Sequence, residues 1–455
     1  MTHHVRLSSD SPCIGCHSSS PRRRRINRHA GGIQIRHQRI VSDFTPTISA
    51  TDAKLRIALM TGNFGYIHDG VSHTLNHLVD NLESTGNQVS VYAPLAEGCK
   101  RRPNVSLVSV PSVAIPGRAE YHFALGLPGP QRKKLIEFAP DVVHVATPDM
   151  LGYAALRFAR KFQIPVVASL HTRFETYLEH YRLGWLRPVI EQRIRSFYRQ
   201  ADVVLVPTRD LRDSFVAQGL GRKVRIWSRG VDRTKFNCGH RDQEWRRSLG
   251  FHDEDCVVMF FGRLVREKGT DVFIETVEQL RQSGVKFKVL VIGDGPERHR
   301  LLKRLPDAAF VGFLNEENLS RAVASADVML NPSRSEAFGN VNLEAMAVGV
   351  AVVAADEGNS RELIEHNKNG LLSSTDGSDG YVEAVWRLVR DPSLRNRLSA
   401  AAQRSSKGYQ WKSILDGVTS AYHEAISNRG SADHFSGSQS NQLPLQTERR
   451  HFTRR

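Results

Sequence analysis

The stretch "ADVMLNPSRSEAFGNVNLEAMAVG", residues 326–349, contains the pattern that decides the fold. The segment "ADVMLNPS" predicts a buried strand, "RSEAFGN" predicts a polar loop, and "VNLEAMAVG" predicts the start of a helix that is ended by Gly349. A strand that leads into a helix through a short loop is the repeating unit of a parallel α/β sheet. Because ligands bind at the carboxyl ends of such strands, this loop is a candidate ligand site.

The same loop carries two glutamates around a turn-like segment. Backbone N–H groups near Gly339, Asn340 and Val341, at the helix start, can bind a phosphate, and the glycine permits close approach. Glu336 and Glu344 would repel phosphate, but each carboxylate can accept hydrogen bonds from neighbouring hydroxyls. A ligand with hydroxyls on both sides of a phosphate is a nucleotide sugar. Alternatively, Glu344 only complements the helix dipole and Glu336 is a solvated loop charge.

Apolar runs alternate with helical stretches along the whole chain. The first half contains "LRIALMTG", "QVSVYAP", "DVVHVATP", "IPVVASLH", "ADVVLVPT" and "VRIWSRGV", and the second half contains "CVVMFFGRL", "KFKVLVIGDG", "AAFVGFL", "ADVMLNPS" and "GVAVVAAD". Near-continuous apolar strands are typical of parallel sheets that are buried on both faces. The sequence therefore predicts an α/β fold with two doubly wound, Rossmann-like domains that face a cleft.

Breaks in this pattern give the expected domain boundaries. Gly230 and the polar run after it separate the two halves. Two helices, at 381–404 and 410–427, are expected to close the chain. The predicted segments are a disordered basic tail (1–51), an acceptor-side domain (52–230), a nucleotide-sugar-binding domain (231–408), a closing helix that packs back on the first domain (409–427) and a second disordered basic tail (428–455).

Polar residues gather where the strands of the second half end. "FFGRLVREKG" places Arg263 and Lys268 after one strand, and "IGDGPE" places Gly293 and Gly295 after another. The loop at 331–340 follows a third strand. Because the carboxyl ends of parallel strands lie at one edge of the sheet, these groups are predicted to converge on one crevice. Taken singly, each loop could instead be a solvated turn.

The formal net charge of +16 is concentrated outside the predicted domains. Residues 1–50 hold eight arginines, including "RRRR" at 22–25, against two acids, and residues 428–455 hold five arginines against two acids. These segments lack periodic apolar residues, so they are predicted to be disordered. They also lack interleaved aromatics and nucleic-acid-reading motifs, so no nucleic-acid partner is expected. No run of 18 apolar residues is present, and no membrane-spanning segment is predicted.

The cysteines indicate neither a disulfide framework nor a metal site. Their odd number suits a reducing cytosol, and a cytoplasmic location is expected. "CIGCH" at 13–17 matches a haem-attachment pattern by its letters, but it lies in a low-complexity tail with no second ligand pair. "HDEDC" at 252–256 has the spacing of some metal-dependent transferases but precedes a strand, on a predicted surface loop, so no metal and no cofactor is expected.

Several motifs together resemble the retaining glycosyltransferases of family four, which have the two-Rossmann GT-B fold. The motifs, in the order of that family, are "DGVSHT", "LHTRFETY", "SRGVD", "GRLVREKG", "GDGP" and "EAFGNVNLE". The resemblance covers about residues 54–427. Within the family, "HTRFETYLEHYRLGWL" and "PDVVHVATPDMLGYAA" are similar to GDP-mannose-dependent lipid mannosyltransferases and to sulfoquinovosyltransferases of glycolipid synthesis.

The resemblance implies roles for residues that match the family motifs. Arg263 and Lys268 would bind the donor diphosphate, and Glu344 would accept hydrogen bonds from the ribose hydroxyls. A guanidinium that can bind two oxygens beside a compact ammonium suits a diphosphate. These roles agree with the positions of the three residues after predicted strands.

The resemblance also implies which residues meet the sugar. Glu336 would hold its hydroxyls, and the backbone of Phe338, Gly339 and Asn340 would lie against the sugar and the β-phosphate. His171 matches the family histidine beside the reacting sugar. A lone histidine at a strand end is otherwise more often a structural residue than a functional one.

Gly70, at the start of the first helix, would add amide contacts to the phosphate from across the cleft. Two departures from the family pattern concern this side of the site. The usual glycine pair is Asp69-Gly70 here, which leaves one position of close approach. The common asparagine of the hinge motif is Arg229.

The resemblance implies transfer with retention through front-face chemistry, in which the leaving diphosphate helps to deprotonate the acceptor hydroxyl. The expected donor is GDP-mannose and the expected acceptor a lipid or lipid-linked glycan. A UDP-sugar-dependent sulfoquinovosyl- or glucosyltransferase is the alternative, followed by a GT-B nucleotide-sugar epimerase. A nicotinamide-dependent oxidoreductase is disfavoured because Gly62, Gly65 and Gly70 have the wrong spacing for that cofactor.

One helical stretch, "LGWLRPVIEQRIRSFYRQA", is a candidate membrane contact. Leu186, Ile190, Ile194, Phe197 and Ala201 share one helical face. The other face carries arginines that could attract anionic headgroups at the inner face of the cytoplasmic membrane: Arg187, Arg195 and Arg199. The alternative is a helix that packs on the core with its arginines in solvent.

Overall fold

The computed structural model describes residues 54–65, 70–94, 105–115, 118–172, 185, 187–374 and 377–436. Five of the segments and residues singled out above lie outside these residues: the basic tail to 51, the basic tail from 437, Asp69, the block at 173–184, and Leu186.

The first half of the described chain forms a seven-stranded, wholly parallel sheet in the order β3-β2-β1-β6-β7-β8-β9. Two further strands, β4 and β5, pair antiparallel beside it. The strands are β1 (Arg56–Met60), β2 (Gln88–Ala93), β3 (Ser106–Ser109), β4 (Ser112–Ile115), β5 (Arg118–Ala124), β6 (Val142–Val145), β7 (Val166–Ser169), β8 (Val203–Val206) and β9 (Lys223–Ile226).

The second half forms a six-stranded parallel sheet in the order β12-β11-β10-β13-β14-β15. Its strands are β10 (Val257–Phe261), β11 (Lys288–Ile292), β12 (Ala309–Gly312), β13 (Val328–Asn331), β14 (Ala351–Ala355) and β15 (Leu371–Ser373). In each sheet the strand order reverses once, beside β1 and beside β10. A reversal of this kind opens a crevice at the carboxyl ends of the strands, where doubly wound proteins bind ligands.

Helices connect the strands and cover both faces of each sheet, so the expected α/β architecture with two Rossmann-like domains is confirmed. The helices are α1 (Gly70–Ser84), α2 (Gly129–Phe138), α3 (Met150–Lys161), α4 (Arg187–Tyr198), α5 (Arg209–Ala217), α6 (Gln243–Ser248), α7 (Thr270–Gln282), α8 (Arg298–Arg304), α9 (Glu316–Ala324), α10 (Asn340–Ala347), α11 (Gly358–Leu363), α12 (Asp379–Arg390), α13 (Pro392–Ser406) and α14 (Trp411–Ser436).

Alternate strand residues enter separate cores on the two faces of each sheet. In β1, Ala58 and Met60 pack on one face and Ile57 and Leu59 on the other, and all four side chains are at most 1% exposed. The second sheet is likewise packed on both faces. Burial on both faces explains why the strands read as apolar runs rather than as alternating patterns.

The last helix, α14, packs on the first domain although it follows the second in sequence. Leu415, Val418, Tyr422 and Ala425 recur at helical spacing and join the core on one face of the first sheet. The chain therefore crosses between the domains a second time, just before Trp411.

The closing helix does not end at residue 427 as the sequence analysis expects, because α14 continues to Ser436. Polar contacts with the first domain hold this extension. Arg429 forms an ion pair with the buried Asp202 at 3.2 Å, and the Asn428 side chain accepts a hydrogen bond from Lys223 at 3.3 Å.

The helix expected at 381–404 is two helices, α12 and α13. Pro392 occupies the first turn of α13, and Asp391 caps it by accepting a hydrogen bond from the Leu394 N–H at 2.9 Å. Proline lacks an N–H and clashes with the preceding turn, so a continuous helix cannot pass through this position.

Candidate functional site

The loop between β13 and α10 turns sharply into the helix at Gly339. This glycine has φ +94°, a left-handed conformation that other residues rarely adopt. Helix α10 begins at Asn340, so the N–H groups of Asn340 and Val341 lack partners within the helix, whereas that of Asn342 bonds to the carbonyl oxygen of Gly339 at 3.0 Å. The side chain of Phe338 is buried and packs edge-on against Tyr409, and this contact anchors the loop to the core of the second domain. The arrangement exposes backbone donors near Val341 to an anion.

The start of α1 lies opposite the start of α10. Gly70 is the first residue of α1, and a Cβ atom added to it would lie 3.0 Å from Nδ2 of Asn340. The two helix N-termini, one from each domain, therefore approach closely across the cleft. Each N-terminus carries partial positive charge, so the pair favours an anionic group in this position.

Lys268 and Glu336 form an ion pair, with Nζ and Oε1 2.5 Å apart. Lys268 ends a single 3-10 turn after β10, and Glu336 lies in the loop after β13. The hydroxyl of Ser335 donates to the carbonyl oxygen of Glu267 at 3.1 Å and holds the two segments together. Both charged side chains remain partly exposed, so they stay accessible to a ligand.

Arg263 and the two glycines of "GDGP" lie where β10 and β11 end. A Cβ atom at Gly293 would lie 1.9 Å from the carbonyl oxygen of Gly262, and one at Gly295 would lie 2.5 Å from that of Leu264. Only glycine fits such close backbone contact. The loops after β10 and β11 are therefore packed directly against each other, and Arg263, in the first of these loops, is half-buried.

Glu344 lies one turn beyond Asn340 on the same side of α10. Within the described residues, no group forms a hydrogen bond or ion pair with its carboxylate. Loss of solvent raises the pKa of Glu344 to about 7. The residue is only partly buried, but a carboxylate shielded from water and without donors is still costly, and hydroxyl groups of a ligand would relieve that cost.

His171 follows β7 in the first domain and contacts none of the other predicted site residues. Its Nε2 lies 2.8 Å from Oγ of Ser169, and its Nδ1 lies 3.1 Å from Nη2 of Arg229. The ring packs edge-on against Trp227. Burial, and then the adjacent guanidinium, lower the pKa of His171 well below its usual value. The imidazole is therefore neutral at physiological pH.

Hydrogen bonds continue from His171 into the core. Oγ of Ser169 lies 2.8 Å from Nε2 of His144, whose Nδ1 lies 2.7 Å from the hydroxyl of Tyr422. Burial lowers the pKa of His144 to about 3. None of Ser169, His144 and Tyr422 is among the predicted site residues, although a polar histidine within the apolar run "DVVHVATP" is a detectable signal.

Two contacts join the domains beside the cleft. Arg209, at the start of α5, donates its backbone N–H to Glu362 of α11 at 3.0 Å and pairs with it through its side chain. At the hinge, a Cβ atom on Gly230 would lie 2.6 Å from the ring of Trp411. Both contacts connect the first domain with segments that belong to, or follow, the second.

Among the residues that the structure describes, no three His, Cys, Asp or Glu side chains group together as a metal site. In the acidic segment "HDEDC" before β10, two aspartates bind to residues close to them in the sequence. Asp253 pairs with Arg247 at 2.5 Å, and Asp255 accepts the backbone N–H of His252 at 2.7 Å.

Comparison with known proteins defines the class of this fold and site. The model described as "Glycosyltransferase Family 4" matches residues 68–235, and that described as "Glycosyl transferases group 1" matches residues 241–405. Among solved structures, Anabaena Alr3699/HepE in complex with UDP-glucose superposes with a TM-score of 0.64 at 20% identity, over 82% of this chain and 100% of that one. The fold is that of a GT-B glycosyltransferase.

Curated relatives narrow the class to a family. The chain is 32% identical to a GDP-mannose-dependent alpha-mannosyltransferase of Mycolicibacterium smegmatis, over 82% of this chain and 99% of the relative. It is 29% identical to sulfoquinovosyl transferase SQD2 of Arabidopsis thaliana, over 81% and 74% of the two chains. The chain belongs to glycosyltransferase family 4, and it is a glycosyltransferase. No helix among its described residues is long and apolar enough to cross a membrane.

Proposed function

We propose that this enzyme transfers a hexose from a nucleoside-diphosphate sugar to a lipid or lipid-linked glycan, with retention of anomeric configuration. The observation that carries the proposal is the Lys268–Glu336 pair at the carboxyl ends of β10 and β13, near facing helix N-termini. This arrangement supplies cation, carboxylate and backbone donors at the crevice beside the strand reversal.

The diphosphate of the donor is proposed to bind Arg263, Lys268 and the helix start at Gly339, with Gly70 approaching from the other domain. A phosphate that contacts Lys268 competes with Glu336 for the ammonium. Donor binding would therefore free this carboxylate to accept hydrogen bonds from the sugar hydroxyls. The pair holds both side chains in place until the donor arrives.

Glu344 is proposed to receive the ribose hydroxyls. Its carboxylate has no described partner, and its raised pKa reflects the cost of ionisation in a desolvated position. Two hydroxyl donors would offset that cost and stabilise the ionised form.

The transfer is proposed to occur on one face of the sugar. The acceptor oxygen forms a bond to the anomeric carbon while the bond from that carbon to the β-phosphate oxygen breaks. The leaving oxygen takes the electron pair and accepts the proton of the acceptor hydroxyl. Arg263 and Lys268 stabilise the negative charge that develops there, so the proposal includes no metal ion.

GDP-mannose is the proposed donor because of the similarity to the mycobacterial mannosyltransferase over nearly its whole length. The similarity to the sulfoquinovosyl transferase supports the alternative of another nucleotide sugar, such as a UDP-sugar.

A peripheral position at the inner face of the cytoplasmic membrane is proposed from the surface beside α4. Trp185 and Val189 are 75% and 56% exposed, and the helix carries several arginines. Its other face packs on the core through Phe197, and Arg187 and Arg195 both pair with Glu191, which weakens their field. Equal binding of the parent and the Arg187→Ala, Arg195→Ala, Arg199→Ala triple variant to anionic liposomes would contradict this surface.

The test of the proposed function is a transfer assay with GDP-mannose, UDP-glucose and UDP-sulfoquinovose against a bacterial lipid extract. The product is identified by mass spectrometry and its anomeric configuration by NMR. An α-linked glycolipid from an α-configured donor, formed at an undiminished rate in EDTA, supports the proposal. An inverted product or a strict requirement for added Mg²⁺ or Mn²⁺ would overturn the mechanism.

A further inference from the structure

Arg229 is a buried cation without an acidic partner in the part of the chain that the structure describes. It is only 4% exposed. Its Nη1 donates to the carbonyl oxygens of Trp227 and Ser228 at 2.7 and 3.3 Å, its Nη2 contacts His171, and its guanidinium lies over the ring of Trp227. Burial of a charge is costly unless its hydrogen bonds are made. The hydrogen bonds of Arg229 to the two carbonyl oxygens and to His171 therefore offset the cost of burying its charge.

The chemistry of the two groups fixes the state of the imidazole. A guanidinium has only donors, so Nδ1 of His171 must present its lone pair to Arg229. Nδ1 then carries no proton, and the proton of the neutral ring lies on Nε2. Oγ of Ser169, 2.8 Å away, accepts it. Both ring nitrogens are thereby engaged by protein groups.

The remaining hydrogen bonds, among Ser169, His144 and Tyr422, are compatible with this tautomer of His171 in either of two arrangements. Ser169 can donate to His144, which then donates to Tyr422, or Tyr422 can donate to His144, which then donates to Ser169. In both arrangements Oγ of Ser169 accepts from His171. Arg229, rather than Tyr422, therefore determines the tautomer of His171.

We propose that Arg229 is a positioning residue that holds His171 as the neutral Nε2–H tautomer and so removes it from acid–base chemistry. The inference rests on the proposed function of His171 beside the reacting sugar. Because neither nitrogen is available to take a proton, the acceptor proton goes to the leaving diphosphate. Neutrality also matters because a cationic ring would oppose the positive charge that develops at the anomeric carbon.

Among the residues that the structure describes, the groups that interact with His171 are Ser169 on β7, His144 on β6 and Trp227 and Arg229 at the hinge. Tyr422 on α14 acts through His144. Arg229 is the one permanent charge in this set. Its removal takes away both the donor to Nδ1 and the positive charge that opposes protonation of the ring.

The direct test is NMR of the imidazole nitrogens in protein labelled with ¹⁵N-histidine, with the His171 signals assigned from the His171→Gln variant. In the parent, the expected spectrum has a protonated Nε2 and a bare Nδ1 that do not change between about pH 5.5 and 8.5. Arg229→Met is expected to show mixed tautomers or a titration in that range. A protonated Nδ1 in the parent, or a parent-like Arg229→Met spectrum, would overturn the proposal.

Three further variants provide controls. Arg229→Lys keeps the charge and a donor and is expected to restore the parent spectrum, and Arg229→Gln keeps a donor without the charge. Tyr422→Phe removes the hydroxyl that contacts His144, at the end of the hydrogen-bond chain, and is expected to leave the His171 signals unchanged. A change of His171 tautomer in Tyr422→Phe, equal to that in Arg229→Met, would count against control by Arg229.

The second readout is the pH dependence of kcat/KM. The parent and Arg229→Lys are expected to lack an acidic limb due to His171, whereas Arg229→Met should gain one at a pKa higher than that of His171 in the parent, because the guanidinium no longer opposes protonation while burial still does. Its rate should fall about tenfold one pH unit below that pKa. A flat profile for Arg229→Met would contradict the positioning role. The NMR readout needs no donor, so a failure to transfer any sugar would refute the proposed function separately.

Discussion

The two domains use the same position, the carboxyl end of a parallel strand, in opposite ways. In the second domain, Lys268 and Glu336 are charged, paired and partly exposed. In the first domain, His171 and Ser169 are buried in a chain of hydrogen bonds, and burial keeps the histidine neutral. The difference shows that the fold determines where a side chain stands, while solvent exposure determines whether its charge can act on a ligand.

The largest effect is expected for Lys268→Ala, with Arg266→Ala as its matched control. Both residues lie in the same 3-10 turn, but Arg266 is largely exposed and pairs with Glu297. Loss of a cation at the leaving diphosphate should lower kcat/KM by about 100-fold or more. Steady-state kinetics should show Arg266→Ala within about twofold of the parent. Equal losses in the two variants would show that the partly exposed pair has no special role.

The two glutamates of α10 and its preceding loop should differ in kinetic effect. Glu344→Ala removes a contact far from the reacting bond and should mainly raise the donor KM. Glu336→Ala should mainly lower kcat, because the sugar must be held while charge develops, and His171→Ala should do the same because it removes the neutral ring proposed to lie beside the reacting sugar. Loss of a hydrogen bond to a charged group is worth about 1.5 to 3 kcal/mol, so each defect should be about tenfold or more.

Circular dichroism must first show that these variants fold like the parent. Parent-like kinetics in both glutamate variants would contradict the assignment of the crevice in the second domain.

Donor affinity should depend on pH through Glu344. Its pKa is raised to about 7 in the folded protein, and hydroxyl donors from the ligand favour its ionised form. Binding should therefore be stronger above this pKa than below it, by about tenfold between pH 8 and pH 6. Calorimetric titrations of the nucleotide into the parent and Glu344→Gln provide the measurement. An identical pH dependence in both proteins would show that another group is responsible.

The buried hydrogen-bond chain of the first domain, which includes His144, should instead make the stability of the protein depend on pH. The folded-state pKa of His144 is lowered to about 3, so its stabilising contribution is present above the unfolded-state value near 6.5 and is lost as the pH falls. Between about pH 7.5 and 5.5, the unfolding free energy of the parent should fall by about 1.4 kcal/mol more than that of His144→Asn. Urea denaturation at both pH values measures this slope, and an unchanged slope would contradict a neutral His144.

The sequence predicted the strands and the site loops because these features are local. An apolar run, a glycine and a helix start lie within about ten residues of one another, as in the segment around Gly339. The pairing of Lys268 with Glu336 spans 68 positions, and that of His144 with Tyr422 spans 278. Such contacts depend on how the whole chain packs, and no local pattern encodes them.

Other differences from the sequence analysis have specific causes. The strands β3, β4 and β15 have only three or four residues, too few to show an apolar run, and Arg118, Glu120 and His122 interrupt the apolar residues of β5. The break at Pro392 was readable from proline chemistry. The extension of α14 beyond residue 427 could not be anticipated, because its partner Asp202 lies in the other half of the chain.

The most direct test of the account is binding of nucleotide sugars to the parent and to Lys268→Ala, measured by thermal shift with GDP-, UDP- and ADP-sugars. A ligand at a hundred times its dissociation constant adds about 2.7 kcal/mol of stability, which gives a clear rise in Tm. The account predicts a shift of the parent with one class of nucleotide sugar, retained in Arg266→Ala and largely lost in Lys268→Ala. No shift with any nucleotide sugar, or an equal shift in all three proteins, would contradict a donor site at the strand ends of the second domain.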